Sequence, residues 1–103
     1  MSNNYIVVFV STRTKTDDVS YSQMAQEMER LAKRQPGFIS MTSVRDSYGV
    51  GITVCYWESQ EAIVAWKNNV DHAAAQSLGM KSWYSAYSVT IAEVKRSYTS
   101  SGG

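Results

Sequence analysis

His72 is the only histidine in the chain, so any imidazole chemistry is its work, and it lies six residues after Trp66. On one straight helix that spacing turns the two side chains about 240° apart, so they share a pocket only if the helix breaks between them. Asn68-Asn69 and Asp71 are residues of the type that break and cap helices. With Asn69 or Asp71 as cap, His72 falls in the first turn of a new segment. There the helix dipole keeps the imidazole neutral and able to take a phenolic proton, while the Asp71 carboxylate opposes that. A hydrogen-bonded structural histidine beside a cap is the competing reading.

The substrate-binding candidates are Trp66, Tyr87, Trp83, Arg45 and Ser11. Trp66 follows the run Ala62-Ile63-Val64-Ala65, whose small residues leave room for a flat indole to sandwich a planar ring. Tyr87 and Trp83, with Trp57, Tyr56 and Tyr84, make the surroundings aromatic, and plain core packing competes for each of them. Arg13 and Arg45 end two apolar runs, where a guanidinium either steadies an oxyanion or is simply solvated. Ser11 closes an apolar strand and either hydrogen-bonds a ligand or serves the turn that follows. Cys55 has no histidine partner in a nucleophile motif and reads as a small buried apolar residue. No CxxC, paired metal-ligand spacing, phosphate-cradling glycine loop or dinucleotide fingerprint occurs, so neither a metal nor a flavin or nicotinamide cofactor is expected.

Positioning these residues requires a small set of elements. Tyr5 to Val10 is β-branched and aromatic on both alternating faces, the pattern of a strand buried on two sides. Ser20-Tyr21-Ser22-Gln23 fits a capping box, so a helix is expected from near Ser20. Its apolar stripe is Tyr21, Met24, Ala25, Met28, Leu31 and Ala32, and Pro36-Gly37 ends it. Phe38 to Arg45 and Gly49 to Trp57 are extended runs joined by Asp46-Ser47-Tyr48-Gly49, a hairpin whose strands pair antiparallel. Ser59 caps a second helix carrying Ala62, Ile63 and Trp66, with a break expected at Asn68 to Asp71 before Ala73 to Leu78 and a stop at Gly79. A final run extends from about Tyr84 to Tyr98.

Residues 1–98 therefore form a single domain, and 99–103, a Thr/Ser/Gly tail, have too little apolar content to order themselves. At 103 residues and 44% hydrophobic, the chain buries a real core without disulfide or metal staples. Ten Lys plus Arg against nine Asp plus Glu leave a net charge of +1, too balanced for nucleic-acid binding by phosphate neutralisation, and a membrane-surface role is equally unexpected. The longest apolar stretch near the start, Tyr5 to Val10, is far short of the roughly 20 residues of a membrane span, and no signal peptide is read. The single Cys55 fits a reducing, cytoplasmic location.

The order strand, helix, strand, strand, helix, strand is that of the ferredoxin-like split β-α-β arrangement, an α+β fold with both helices on one face of an antiparallel sheet. The first strand offers Tyr5, Val7 and Phe9 on one side and Ile6, Val8 and Val10 on the other, and two helices cover only one side. A second copy of the chain is the simplest cover for the other face, giving a homodimeric barrel-like core that the long final run reaches across.

Pro36-Gly37-Phe38, Gly51-Ile52-Thr53-Val54-Cys55-Tyr56-Trp57, Ala62 to Trp66, His72, Ala75-Gln76, Gly79 and Trp83-Tyr84 together resemble the antibiotic biosynthesis monooxygenase superfamily, over roughly Tyr5 to Tyr98. The likeness is strongest to small bacterial members of unassigned substrate. The resemblance implies a dimeric α/β barrel with a pocket in each subunit between sheet and helices. In the haem-degrading branch the ligand histidine lies ten residues after the helix tryptophan, where this chain has Gln76. In the polyketide-oxidising branch an asparagine precedes that tryptophan by one turn, where this chain has Ala62. The expected function is that of a cofactor-independent monooxygenase acting on a small aromatic or quinol-type substrate. His72 removes a phenolic proton, Trp66 and Tyr87 hold the ring, and the anion itself reduces oxygen. The alternative is a noncatalytic or haem-binding dimeric barrel with His72 as axial ligand.

Overall fold

The computed structural model describes residues 4–15, 18–75 and 83–100. Its elements are β1 (Tyr5–Arg13), α1 (Asp18–Arg34), β2 (Phe38–Arg45), β3 (Val50–Trp57), α2 (Gln60–Ala75) and β4 (Tyr84–Glu93). The strands form one antiparallel sheet in the order β2-β3-β1-β4, the ferredoxin-like α+β arrangement expected from the element order.

Strand pleating sends alternate residues to opposite faces, and the register carries each parity across the sheet. Val7, Cys55 and Trp57 form one core with Ala32 of α1 and with Ala62 and Ile63 of α2, so the odd-numbered side of β1 is the helix side. The other side carries Ile6, Val8 and Val10 of β1 against Tyr56, Val54 and Ile52 of β3. No element among the described residues covers it. Ile52 is 42% and Val44, opposite it on β2, 67% exposed.

The turns form for local reasons. Gly37, at φ 92°, ends α1, and a methyl group there would stand 2.9 Å from the Ala62 Cβ, so glycine is needed both for the turn and for the approach of α2. In the β2–β3 hairpin the Asp46 carboxylate accepts the amides of Tyr48 and Val50, each at 2.9 Å. Ser59 caps α2 as expected, its Oγ accepting the Ala62 amide at 3.1 Å.

Three boundaries differ from the sequence reading. α1 begins at Asp18, two residues before the expected capping box. α2 runs unbroken through Asn68, Asn69 and Asp71 to Ala75. A Lys67–Asp71 ion pair at 2.7 Å spans that stretch, and Val70 packs on the Met24–Trp83 cluster, so tertiary contact holds asparagines that alone favour a break. β4 ends at Glu93, short of Tyr98, because it pairs only with β1 and its register puts Glu93 opposite Tyr5, the first residue of that strand. The expected stop at Gly79, the position of Gln76 and residues 101–103 of the tail lie outside the described residues.

Candidate functional site

The helix side of the sheet changes character along the strands. At the Tyr5–Trp57 end it is apolar and closed by the helices; about six residues along, or roughly 20 Å, it becomes polar and aromatic. There one row crosses all four strands: Arg45 of β2 lies opposite Gly51 of β3, Gly51 opposite Ser11 of β1, and Ser11 opposite Tyr87 of β4. Three of the residues expected to bind substrate, Arg45, Ser11 and Tyr87, thus fall in a single line.

The Arg45 guanidinium reaches along this row. Its Nη2 donates to Ser11 Oγ at 2.9 Å and to the Tyr21 hydroxyl at 3.0 Å, and its Nη1 donates to the Gly49 carbonyl and, at 3.4 Å, to that of Ser11. Ser11 itself is 2% exposed. Tyr21 comes from the first turns of α1, and the Arg13 guanidinium lies over its ring, 3.9 Å from the centroid. Two cations therefore flank one phenol. Arg13 is held in turn by the Trp83 carbonyl, 2.5 Å from its Nη1.

The aromatic wall depends on a bulge. Thr12 pairs with Ala86 and Arg13 with Tyr84, so Ser85 is an extra residue in β4. In a regular strand Tyr84 and Tyr87, three apart, would point to opposite faces. The bulge returns both to the helix side, with ring centroids 6.1 Å apart. Phe9 meets Tyr84 edge-on at 5.6 Å and Tyr87 at 5.8 Å. Tyr84 also meets Tyr21 edge-on at 5.8 Å, and Trp83 meets Tyr21 at 6.1 Å. Burial, then the neighbouring Tyr21 phenol and the hydrogen bond to it, pushes the Tyr84 hydroxyl well above the ordinary tyrosine range, despite Arg45 and Arg13 nearby. The Trp83 indole is 1% exposed, and its N–H has no hydrogen-bond partner among the described residues.

Trp66 and His72 are placed elsewhere. Trp66 is half-buried in the apolar core, its ring 5.2 Å from that of Trp57 and its indole N–H donating to the Met28 carbonyl at 3.2 Å. His72 is exposed in the last turn of α2. Because the helix is unbroken, the pocket expected to hold both is not formed between them, and the dipole argument, which needed a first-turn position, does not apply. Val70 points to the Trp83 cluster, and two residues on, about 200° around the helix, His72 points away from it.

Sequence reasoning missed Tyr21 as a site residue, reading it as part of the core stripe of α1. A buried phenol must find a partner for its hydroxyl, and that requirement was the available signal. Gly51 was readable only as a landmark; the hairpin register that sets it opposite Arg45 gives it a role. A shallow depression bounded by Tyr5, Glu58 and Glu61 lies at the other, apolar end of the sheet and contributes nothing to this cluster. Among the described residues no three His, Cys, Asp or Glu side chains gather as a metal site.

The fold has clear relatives. The family model described as antibiotic biosynthesis monooxygenase matches residues 5–78, and the chain belongs to that family. It is 42% identical over 92 residues to the uncharacterized protein YqjZ of Bacillus subtilis, covering 89% of this chain and 80% of that one. Among solved structures it is similar to a single-residue variant of SnoaB, a cofactor-independent oxygenase from Streptomyces nogalater, with a TM-score of 0.73, 14% identity, and 93% and 97% of the two chains covered. It is also similar to a variant of MhuD with two manganese protoporphyrin IX molecules bound per active site, at a TM-score of 0.69, 19% identity, and 93% and 99% covered. Both structural likenesses are likenesses of fold.

Proposed function

We propose that the protein is a cofactor-independent monooxygenase acting on a small aromatic or quinol-type substrate, and that it works as a homodimer. The observation that carries this reading is the Arg45 guanidinium fixed beside Ser11 and Tyr21 at the edge of an aromatic wall. A phenolic ring lies against Phe9, Tyr84 and Tyr87 with its oxygen toward Arg45. The cation favours the phenolate, and the charge raises electron density in the ring. In an anthrone-type substrate the ring carbon para to the phenolate oxygen, the methylene of the keto form, adds O2 to give a hydroperoxide that loses water to leave a ring carbonyl. In a hydroquinone a ring C–H carbon does the same to give a hydroxyquinone and water. The substrate supplies all four electrons in either case. Tyr84 keeps its proton and donates.

The phenolic proton leaves to solvent in this reading, because His72 faces away from the cluster. Oxygen uptake with a panel of hydroquinones, naphthoquinols and anthrones tests it. Arg45→Ala is expected to lower kcat/KM about 10- to 100-fold, the range of a lost charge-assisted hydrogen bond. His72→Ala is expected to leave it within about 3-fold, where loss of a general base would cost about 100-fold or more. No uptake with any member of the panel, or a collapse in His72→Ala with Arg45→Ala active, overturns the assignment.

The fold likeness to the porphyrin-bound MhuD variant supports the haem-binding alternative. The residues do not fit an iron porphyrin at this cluster, since the one imidazole is exposed on the far side of α2. A Soret band on haemin addition that vanishes in His72→Ala would favour that alternative. Cys55, buried and without a disulfide partner, fits a cytoplasmic protein. No helix among the described residues is long and apolar enough to cross a membrane.

A further inference from the structure

The Arg45 side chain starts on β2 and ends on β1, with β3 between them. Strands in a sheet stand about 4.8 Å apart, so a side chain that reaches the next strand but one must pass directly over the residue between. That residue is Gly51. A Cβ built on Gly51 would overlap Arg45 Cζ and lie 2.5 Å from Nη2 and 2.8 Å from Nη1, inside any permitted contact. The guanidinium therefore occupies the volume that a side chain at position 51 would fill. The backbone of Gly51 is not in the left-handed region that favours glycine, so no turn or strain explains the residue. The passage of Arg45 does.

We infer that Gly51 is a positioning residue, a slot in β3 whose missing side chain lets Arg45 reach Ser11 and Tyr21 and present its charge at the aromatic wall. The inference rests on the reading of Arg45 as the oxyanion partner for its functional meaning, but its physical content is the coupling between positions 45 and 51. With any side chain at 51 the flexible arginine gives way before the backbone does. It then swings toward solvent, and Ser11, almost wholly buried, loses its donor. The charge is kept and misplaced.

A double-mutant cycle without ligand tests the coupling. Gly51→Ala is expected to lower Tm by about 4 °C or more in the parent, and to leave it unchanged or raise it in an Arg45→Ala background, where the space is free. Binding of 4-nitrophenolate, followed by its absorbance, provides the functional arm. Gly51→Ala and Arg45→Ala should each weaken it about 10-fold or more, and the double variant should be no weaker than Arg45→Ala alone. Equal Tm losses from Gly51→Ala in both backgrounds overturn the slot. Coupled Tm values with no 4-nitrophenolate binding by the parent uphold the slot and count instead against Arg45 as an oxyanion site. If Gly51→Ala alone fails to fold, recovery of the fold in the double variant upholds the slot equally, and failure of both overturns it.

Discussion

Tyr84 shows how one residue's surroundings decide its chemistry. Its hydroxyl is removed from water and tied to another phenol, so the charged form is disfavoured and the pKa rises from its ordinary value near 10. The folded state thus holds this proton more tightly than the unfolded chain does. The associated stability is fully present below about pH 10 and is lost as pH climbs from there toward the raised folded value. Stability measured by denaturant between pH 9 and 11.5 should fall more steeply in the parent than in Tyr84→Phe. Parallel curves would mean that Tyr84 ionises like an exposed tyrosine. The same proton argues that turnover should not show an ascending limb from Tyr84 near neutral pH. Cys55 follows a similar rule, with burial raising its thiol pKa against a smaller opposing effect from Trp57.

At the scale of elements, Gly37 joins the end of α1 to the flank of α2. Its φ of 92° suits glycine alone, and an added methyl meets the Ala62 Cβ at 2.9 Å. Gly37→Ala should cost about 1–2 kcal/mol in a chemical-denaturation experiment, from left-handed strain and from pushing α2 outward. A loss under about 0.5 kcal/mol would show that the turn relaxes freely. The elements themselves were legible because their signals are local: the β-branched run of β1, the Ser59 cap, Pro36-Gly37 and the Asp46–Gly49 turn each act within a few residues. Two of the three boundary differences were decided at a distance. Asn68 and Asn69 invite a break, but Val70 is pinned by α1 and Trp83, and β4 stops where its only partner strand starts. The site divides in the same way. Arg45, Ser11 and Tyr87 were legible as polar or aromatic groups at strand ends, whereas Tyr21, the Ser85 bulge and the slot at Gly51 exist only once strands are in register. Trp66, expected to hold a substrate ring, packs in the apolar core instead, its ring tilted against that of Trp57.

The whole molecule presents a sheet whose helix side is covered over β1 to β3 but open over β4, where Val89 and Ile91 are 52% and 50% exposed, and whose other side is bare. Ile6, Val8, Val10, Ile52, Val54 and Tyr56 stand together on the bare side, with Val50 at 39% and Val10 at 36% exposure. A contiguous apolar face on two central strands is the kind of surface that marks a contact between protein chains. A second copy offers the same surface, and packing the two face to face about 10 Å apart makes each sheet half of a shared core. Light scattering at micromolar concentration should then give twice the 11.5 kDa chain mass, and Tm should rise with protein concentration. Val8 is the place to probe this, because it lies between Val54 and Thr90 at the centre of the bare face and outside the helix-side core. Val8→Asp would bury an unpaired carboxylate in the dimer and should both halve the particle mass and lower Tm. A parent that runs at the single-chain mass, with a Tm independent of concentration and unmoved by Val8→Asp, would mean that the bare face is tolerated in water and that each Arg45 cluster works without a partner.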